Sequence, residues 1–421
     1  AVFAFGNETG DVLLGLSERH FGDYRAGTSD KDNLGTQIRL RNIHPQAWEH
    51  WLESEVGDTS SVSRSRLFKL GLNLPEEQRL QFSYMEYDAD SKNAWAYVSP
   101  DAQTVYYLRS SASDLLARNA ALDYSYNPDS NLIDLEAKLY YVTTREDRWN
   151  AGSTASQSSG NWYPDYLDYY QTDTWGLQLT NTAYFDVSDD HLLTFTYGGE
   201  VYQDRFSPST TRTPTTNEQA YPFIKGANPD GERTMASIFG ELVWDYSDWL
   251  RVDAGLRYDR YRLKGESGLT VWMYPDGEFV TQDGARSEQA MVFDVDQQAG
   301  RLSPTLGIAV KPGVDWLQLY TRWGRGWRPP AVTEAFMSGR PHGGGGSEMV
   351  YPNPFLKPER SNNWEAGFNI FAESLLRDGD RLGIKVAYFD NRIDNFSYMD
   401  VNVDVPGLTA ANTSMGRSAY Q

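Results

Sequence analysis

The chemistry in this sequence gathers around one histidine. His342 stands in a glycine-rich loop between two proline-containing boxes, Gly326-Trp327-Arg328-Pro329-Pro330 and Asn353-Pro354-Phe355-Leu356. A neutral imidazole nitrogen is a good ligand for a metal ion or haem iron. The two prolines of the first box fix φ twice and donate no amide hydrogen, so strand pairing stops there. Asn353-Pro354 and Lys357-Pro358 stiffen the return path. A short helical turn over Val332–Met337 is expected between the first box and the loop. The other histidines are weaker candidates. His191 follows a short turn and reads as a turn residue, and His20 lies near an outer strand end. His44 and His50 fall in the first long loop, where contact with a partner protein or plain solvation both fit. Taken alone, a loop histidine is more often a solvated surface residue than a ligand.

Composition narrows the classes. The chain has 421 residues, a net charge of −20 and no cysteine. Disulfides, zinc fingers, iron–sulfur centres and thiol enzymes are therefore excluded within it. The acidic balance argues against nucleic acid as a partner, since nothing builds a phosphate-neutralising surface. Aromatics make up 14% of the residues, which is unlike a helical soluble protein. No apolar run is long enough for a transmembrane helix. Barrel strands need only about 9–11 residues with alternate positions apolar, so a membrane role stays open.

The elements that must position His342 are strands. Period-2 alternation recurs in pairs along the chain. Trp175, Leu177, Leu179, Ala183, Phe185 and Val187 share one face, opposite Gly176, Gln178, Thr180, Thr182 and Asp186. Ala236, Ile238, Leu242, Trp244 and Tyr246 turn at Ser247-Asp248 into Leu250, Val252, Ala254, Leu256 and Tyr258. Leu302, Leu306, Ile308 and Val310 follow, then Trp364, Ala366, Phe368 and Ile370, then Leu382, Ile384, Val386 and Tyr388.

A soluble sandwich would alternate in the same way. Loop lengths separate the two. Turns near 75–77, 127–130, 188–190, 247–248, 311–313 and 378–380 are short. Connections over roughly 25–63, 90–113, 146–173, 206–232, 264–298 and 327–361 are long. Short turns on one side and long loops on the other are the pattern of an outer-membrane barrel. Aromatics such as Trp175, Phe185, Trp244, Tyr246, Trp249, Trp316, Trp323 and Trp364 are expected near strand ends, as interfacial girdles. The reading is an all-β, transmembrane antiparallel β-barrel of about fourteen strands, beginning with the stub Ala1–Phe5. Residues Ala410–Gln421 are polar and do not read as a closing strand, and a barrel cannot leave an edge in lipid. Residues 1–421 are thus expected to be part of a larger barrel. A small helix over Pro45–Val56 is weighed against simple loop packing.

The order Trp-Arg-Pro-Pro, then His342, then Asn-Pro-Phe-Leu-Lys-Pro-Glu, then Trp364-Glu-Ala-Gly-Phe368 resembles TonB-dependent outer-membrane receptors for haem. The likeness is strongest to those that take haem from a secreted hemophore. It is specific over Gly324–Phe368 and is supported more loosely by Ala387–Asn395. The first box departs from the family pattern of Phe-Arg-Ala-Pro at Trp327 and at Pro329, and Phe355 stands at a variable position of the second. The resemblance implies that His342 ligates haem, with Arg340 within reach of a propionate. It implies that Trp327, Arg328, Pro329, Pro330, Asn353, Pro354, Phe355 and Leu356 flank the ligand. Haem would be the transported ligand. The implied partners are a hemophore, the TonB complex and the lipid and lipopolysaccharide of the bacterial outer membrane. The resemblance implies a larger, 22-stranded, plugged barrel, with a second axial ligand, the plug and the TonB box outside the given residues. A TonB-dependent siderophore receptor would need no axial histidine. A passive porin would keep an open lumen. A barrel enzyme would need a site such as Asp23 beside His20.

Overall fold

The computed structural model describes residues 1–24, 59–96, 108–150, 153–155, 161–163, 166–211, 230–273, 287–337, 349–401 and 417–420. Fourteen strands form one meander in which each pairs antiparallel with the next. They are β1 (Val2–Gly6), β2 (Gly10–Phe21), β3 (Ser61–Leu74), β4 (Gln78–Ala96), β5 (Leu108–Tyr126), β6 (Leu135–Asn150) and β7 (Tyr166–Ser188). The series continues with β8 (His191–Phe206), β9 (Asp230–Tyr246), β10 (Leu250–Met273), β11 (Ser287–Val310), β12 (Leu317–Arg328), β13 (Glu359–Glu373) and β14 (Arg381–Asp394). One helix, α1 (Val332–Phe336), follows β12 where a short helical turn is expected. Among the described residues the sheet stays open between β1 and β14.

Arg417–Tyr420 does form a strand, but not in the wall. It joins Met349–Tyr351 and Met399–Val401 in a separate three-stranded sheet. The expected helix over Pro45–Val56 lies outside the described residues.

The turns obey the short/long rhythm. Between β3 and β4 the chain reverses in three residues, with Glu76 and Glu77 both in the left-handed region (φ 63° and 56°). Left-handed residues of this kind let a chain reverse tightly between right-twisted strands. Gly313 (φ 73°) and Gly379 (φ 86°) supply the same freedom in the turns after β11 and β13.

Alternation assigns the two faces. Ile238, Leu256 and Leu302 project from neighbouring strands and are 65%, 52% and 55% exposed. A contiguous apolar face of this kind is where lipid sits. The opposite face carries ion pairs. Arg257 meets Asp259 at 2.7 Å and Glu200 at 3.7 Å, Arg233 meets Asp204 at 2.7 Å, and Arg322 lies 3.6 Å from Asp253. This is the lumenal face.

Aromatics mark the periplasmic rim. His191 opens β8 instead of sitting in the turn. Its ring stacks on Trp244 at 5.9 Å and meets Tyr246 at 4.5 Å, and its Nδ1 accepts the Trp244 indole N–H at 3.2 Å. At the other end the expectation that girdle aromatics mark strand ends is corrected. Trp175 lies well inside β7, and Trp323 faces Trp364 well inside β12 and β13. The strands run on beyond the membrane, up to 24 residues in β10 and β11, so the lipid boundary falls mid-strand.

Candidate functional site

The boxes sit where the wall divides. The ladder between β11 and β12 ends at Thr305↔Gly324. The next residue of β11 is Pro304, which has no amide hydrogen to offer. Above it, β12 pairs only with β13, from Arg325↔Asn362 to Arg328↔Glu359. With β13 still paired to β14 up to Arg360↔Asp394, this end of the sheet turns inward as a ribbon. Trp327 has the parity of Trp323, on the lipid-facing side, yet its indole N–H donates to Asp259 on the lumenal face at 3.2 Å. Its ring lies 5.7 Å from that of Tyr261.

The ribbon carries α1 onto the lumenal side of β9 and β10. Val332, Ala335 and Phe336 are each 1% exposed, packed with Met235, Tyr261 and Leu263. Phe336 fits a notch made by Gly231 and Gly265, which face each other across the β9–β10 ladder. A Cβ on Gly231 would stand 3.0 Å from the Phe336 ring, and one on Gly265 would stand 2.9 Å from it. Both glycines are there for this close approach. The Ser267 hydroxyl donates to the Phe336 carbonyl at 3.0 Å and holds the end of the helix.

The two boxes are tied together at their bases. Arg328 donates through Nε and Nη2 to the two carboxylate oxygens of Glu359 at 2.9 and 2.8 Å, a bidentate pair. Its Nη1 donates to Glu334 at 2.9 Å, and the same Glu334 oxygen accepts the Ala331 N–H at 2.8 Å. The two carboxylates push the Arg328 guanidinium above its ordinary value, and Arg328 holds Glu359 below the usual carboxylate range. Pro329, Pro330, Pro354 and Leu356 are buried. Gln297 of β11 donates to the Pro354 carbonyl, and the Phe355 N–H closes a turn onto Asn353 Oδ1 at 3.1 Å. Phe355 itself points out, 84% exposed.

The described flanks therefore converge as a rigid frame around the roots of the loop. His342 and Arg340 lie outside the described residues, as do His44 and His50. His20 faces Glu18 at 2.7 Å, while Asp23 accepts from the Thr59 amide at 2.8 Å. The Asp23–His20 neighbourhood is thus not assembled as a catalytic pair. Sequence reasoning missed Met235, Tyr261, Leu263, Asp259, Ser267 and the glycine notch. A signal was present. In β10 the apolar positions are even up to Tyr258, then switch to odd at Tyr261 and Leu263 while Arg260, Arg262 and Lys264 take the outer face. Such a parity switch marks where the lumenal face stops facing water and becomes covered.

Comparison with known proteins agrees with this architecture. The family described as "TonB dependent receptor-like, beta-barrel" matches residues 67–420. The hemin receptor of Yersinia pestis is 27% identical over 312 residues, covering 72% of this chain and 38% of that protein. The hemophore receptor HasR of Serratia marcescens, solved as a double mutant in complex with its hemophore HasA and heme, is 38% identical with a TM-score of 0.75. That match covers 100% of this chain and 55% of HasR. The copper transporter OprC, at 14% identity and a TM-score of 0.64, shares the fold alone. The chain spans about two-fifths of the hemin receptor's length and about half of HasR's. A match over most of the chain, on a sheet with one lipid face and one charged lumenal face, decides the family: the chain belongs to the TonB-dependent receptor β-barrels of the outer membrane, a family of receptors and transporters and not of enzymes.

Proposed function

We propose that this chain is the barrel part of a receptor that takes haem from a secreted hemophore and imports it with TonB-derived energy. The observation that carries the reading is the frame built by the two boxes. Arg328 bonds across to Glu359, and Phe336 is seated in its glycine notch, so both roots of the loop holding His342 are fixed. A ligand on a tether with rigid roots loses less entropy on binding than one on a free loop. HasR supports the cargo and the partner, since it was solved with HasA and heme. The hemin receptor of Yersinia pestis supports the cargo.

In this reading His342 donates an imidazole nitrogen to haem iron, and Arg340 pairs with a propionate. The second axial ligand, the plug and the segment that meets TonB belong to parts of the receptor beyond these 421 residues. Haem passes through as cargo, and no covalent step is required of the wall.

The test is spectroscopic. The full receptor carrying His342→Ala is titrated with haem beside the wild type. Loss of an axial imidazole is expected to shift the Soret band and to weaken haem binding roughly 10- to 100-fold, the cost typical of disturbing a ligand set. An unchanged spectrum with unchanged affinity removes His342 from the role.

A further inference from the structure

The outer face carries an arginine pair that haem capture does not use. Glu86 of β4 lies between Arg66 of β3 and Arg118 of β5, in register on adjacent strands. Arg66 Nη1 donates to Glu86 Oε1, and Arg118 Nε donates to Glu86 Oε2 at 2.9 Å. The Tyr84 hydroxyl donates to Oε2 at 2.7 Å. The Glu86 side chain is only 12% exposed, whereas both arginine side chains are 48% exposed. The carboxylate is thus consumed in aiming the two guanidiniums, which keep further N–H groups toward the outside and a net charge of +1.

The height of this group matters. All three residues share the outer face with Leu70 and Phe82. Counted from the periplasmic ends of their strands, at Leu74, Gln78 and Tyr126, each is the ninth residue. A tilted strand needs about 9–11 residues to cross the hydrocarbon. The guanidiniums therefore emerge where the headgroups of the outer leaflet begin. On the far side of the sheet Arg260 and Arg262 also stand first above the lipid face of β10, but there Arg262 is closed onto Asp296 at 2.8 and 2.6 Å and Arg260 donates to Gln298 at 2.8 Å. In a chain of net charge −20, two guanidiniums sharing one carboxylate at the top of the lipid face answer anionic headgroups.

We propose that Arg66 and Arg118, held by Glu86, bind a phosphate of the phosphorylated glycolipid that forms the outer leaflet around the barrel. A preorganised pair of guanidiniums matches phosphate geometry and loses little freedom on binding. Arg145 is the internal contrast. It shares that face, but its Nε and Nη2 are both spent on Asp147, at 2.8 and 2.7 Å.

The experiment uses the full receptor in detergent, with native mass spectrometry after addition of bisphosphorylated lipid A, dephosphorylated lipid A or phosphatidylglycerol. The wild type is expected to retain bisphosphorylated lipid A. The double variant Arg66→Gln/Arg118→Gln is expected to lose at least about tenfold of it, the scale of one charge-assisted contact. Arg145→Gln is expected to bind like the wild type, and dephosphorylated lipid A no better than it binds the double variant. Heat-modifiable gel mobility checks that each variant is folded. Undiminished lipid A on a folded double variant overturns the proposal, as does an equal loss in Arg145→Gln. Equal retention of phosphatidylglycerol overturns the assignment to the glycolipid.

Discussion

Trp327 and Asp259 are bonded at 3.2 Å across β11, the strand that lies between theirs. Only a β12 that has left the wall and folded inward can make that contact. Asp259 keeps a second partner in Arg257 at 2.7 Å. Replacing Trp327 by Phe retains the ring against Tyr261 and removes one hydrogen bond, for a cost of about 1 kcal/mol. Trp327→Ala also removes the packing and costs about 3 kcal/mol. Amide hydrogen exchange over residues 325–336 reads both. Equal protection in the two variants would show that the ring does not hold the ribbon.

The Phe336 notch makes a sharper prediction, because both sides of the contact can be changed. Phe336→Ala leaves a cavity of ring size and frees α1, at about 3 kcal/mol of local stability. Gly265→Ala places a methyl group 2.9 Å from the ring and 2.6 Å from the Asp230 carbonyl, so it also displaces α1. The double variant is expected to cost less than the sum by about 1 kcal/mol, since the methyl then enters vacated space. The backbone clash keeps the compensation partial. Limited proteolysis after α1 follows the series, and strict additivity would mean that ring and notch do not touch.

The tie between the boxes has a defined pH dependence. Glu359 sits below its ordinary value of 4.5 because Arg328 bonds to it and Ser397 donates its backbone N–H. A depressed carboxylate contributes stability that is complete above the unfolded value and is lost as pH falls through the folded one. The frame is therefore expected to be constant from neutral to alkaline pH and to loosen only below about pH 4.5. Tryptophan fluorescence of the ribbon against pH tests this, with Glu359→Gln as comparison. The variant is expected to be looser at pH 7 and to lose the acid transition. The same acid transition in Glu359→Gln would assign it to another group.

Phe355 offers a test of the partner surface. It is held out between buried Pro354 and Leu356, rigid and apolar at the outer mouth. Such anchors are where protein interfaces concentrate affinity. Phe355→Ser is expected to leave unfolding unchanged and to weaken binding of a haem-loaded hemophore by about 1–2 kcal/mol, roughly five- to thirtyfold. Surface-immobilised receptor gives the measurement, and an unchanged dissociation rate would place the docking surface elsewhere.

The wall was legible because a membrane enforces strict alternation. Ile238, Leu242, Leu256 and Leu302 face lipid as their parity dictates, and the short turns fall where Ser247-Asp248 and Lys311–Gly313 place them. The two boxes were legible as proline punctuation. What they pack against was not, because a side chain such as Leu263 looks like any inward residue until something covers it. The covering element, α1, comes from 69 residues further along the chain, by the Ser267–Phe336 separation. Trp327 was misleading for a related reason. Parity predicts the face of a strand only while the strand stays in the wall, and here it leaves beside Pro304.

That departure also sets the mechanics of the sheet. Six rungs join β11 to β12, against twenty-four between β10 and β11 and twelve between β12 and β13. Among the described junctions from β2 to β14, none has fewer rungs. A sheet strained sideways parts where the fewest bonds share the load. Tension applied to the wall should therefore fall first on this seam, where α1, rooted in β12 but seated on β9 and β10, acts as a clasp across the gap.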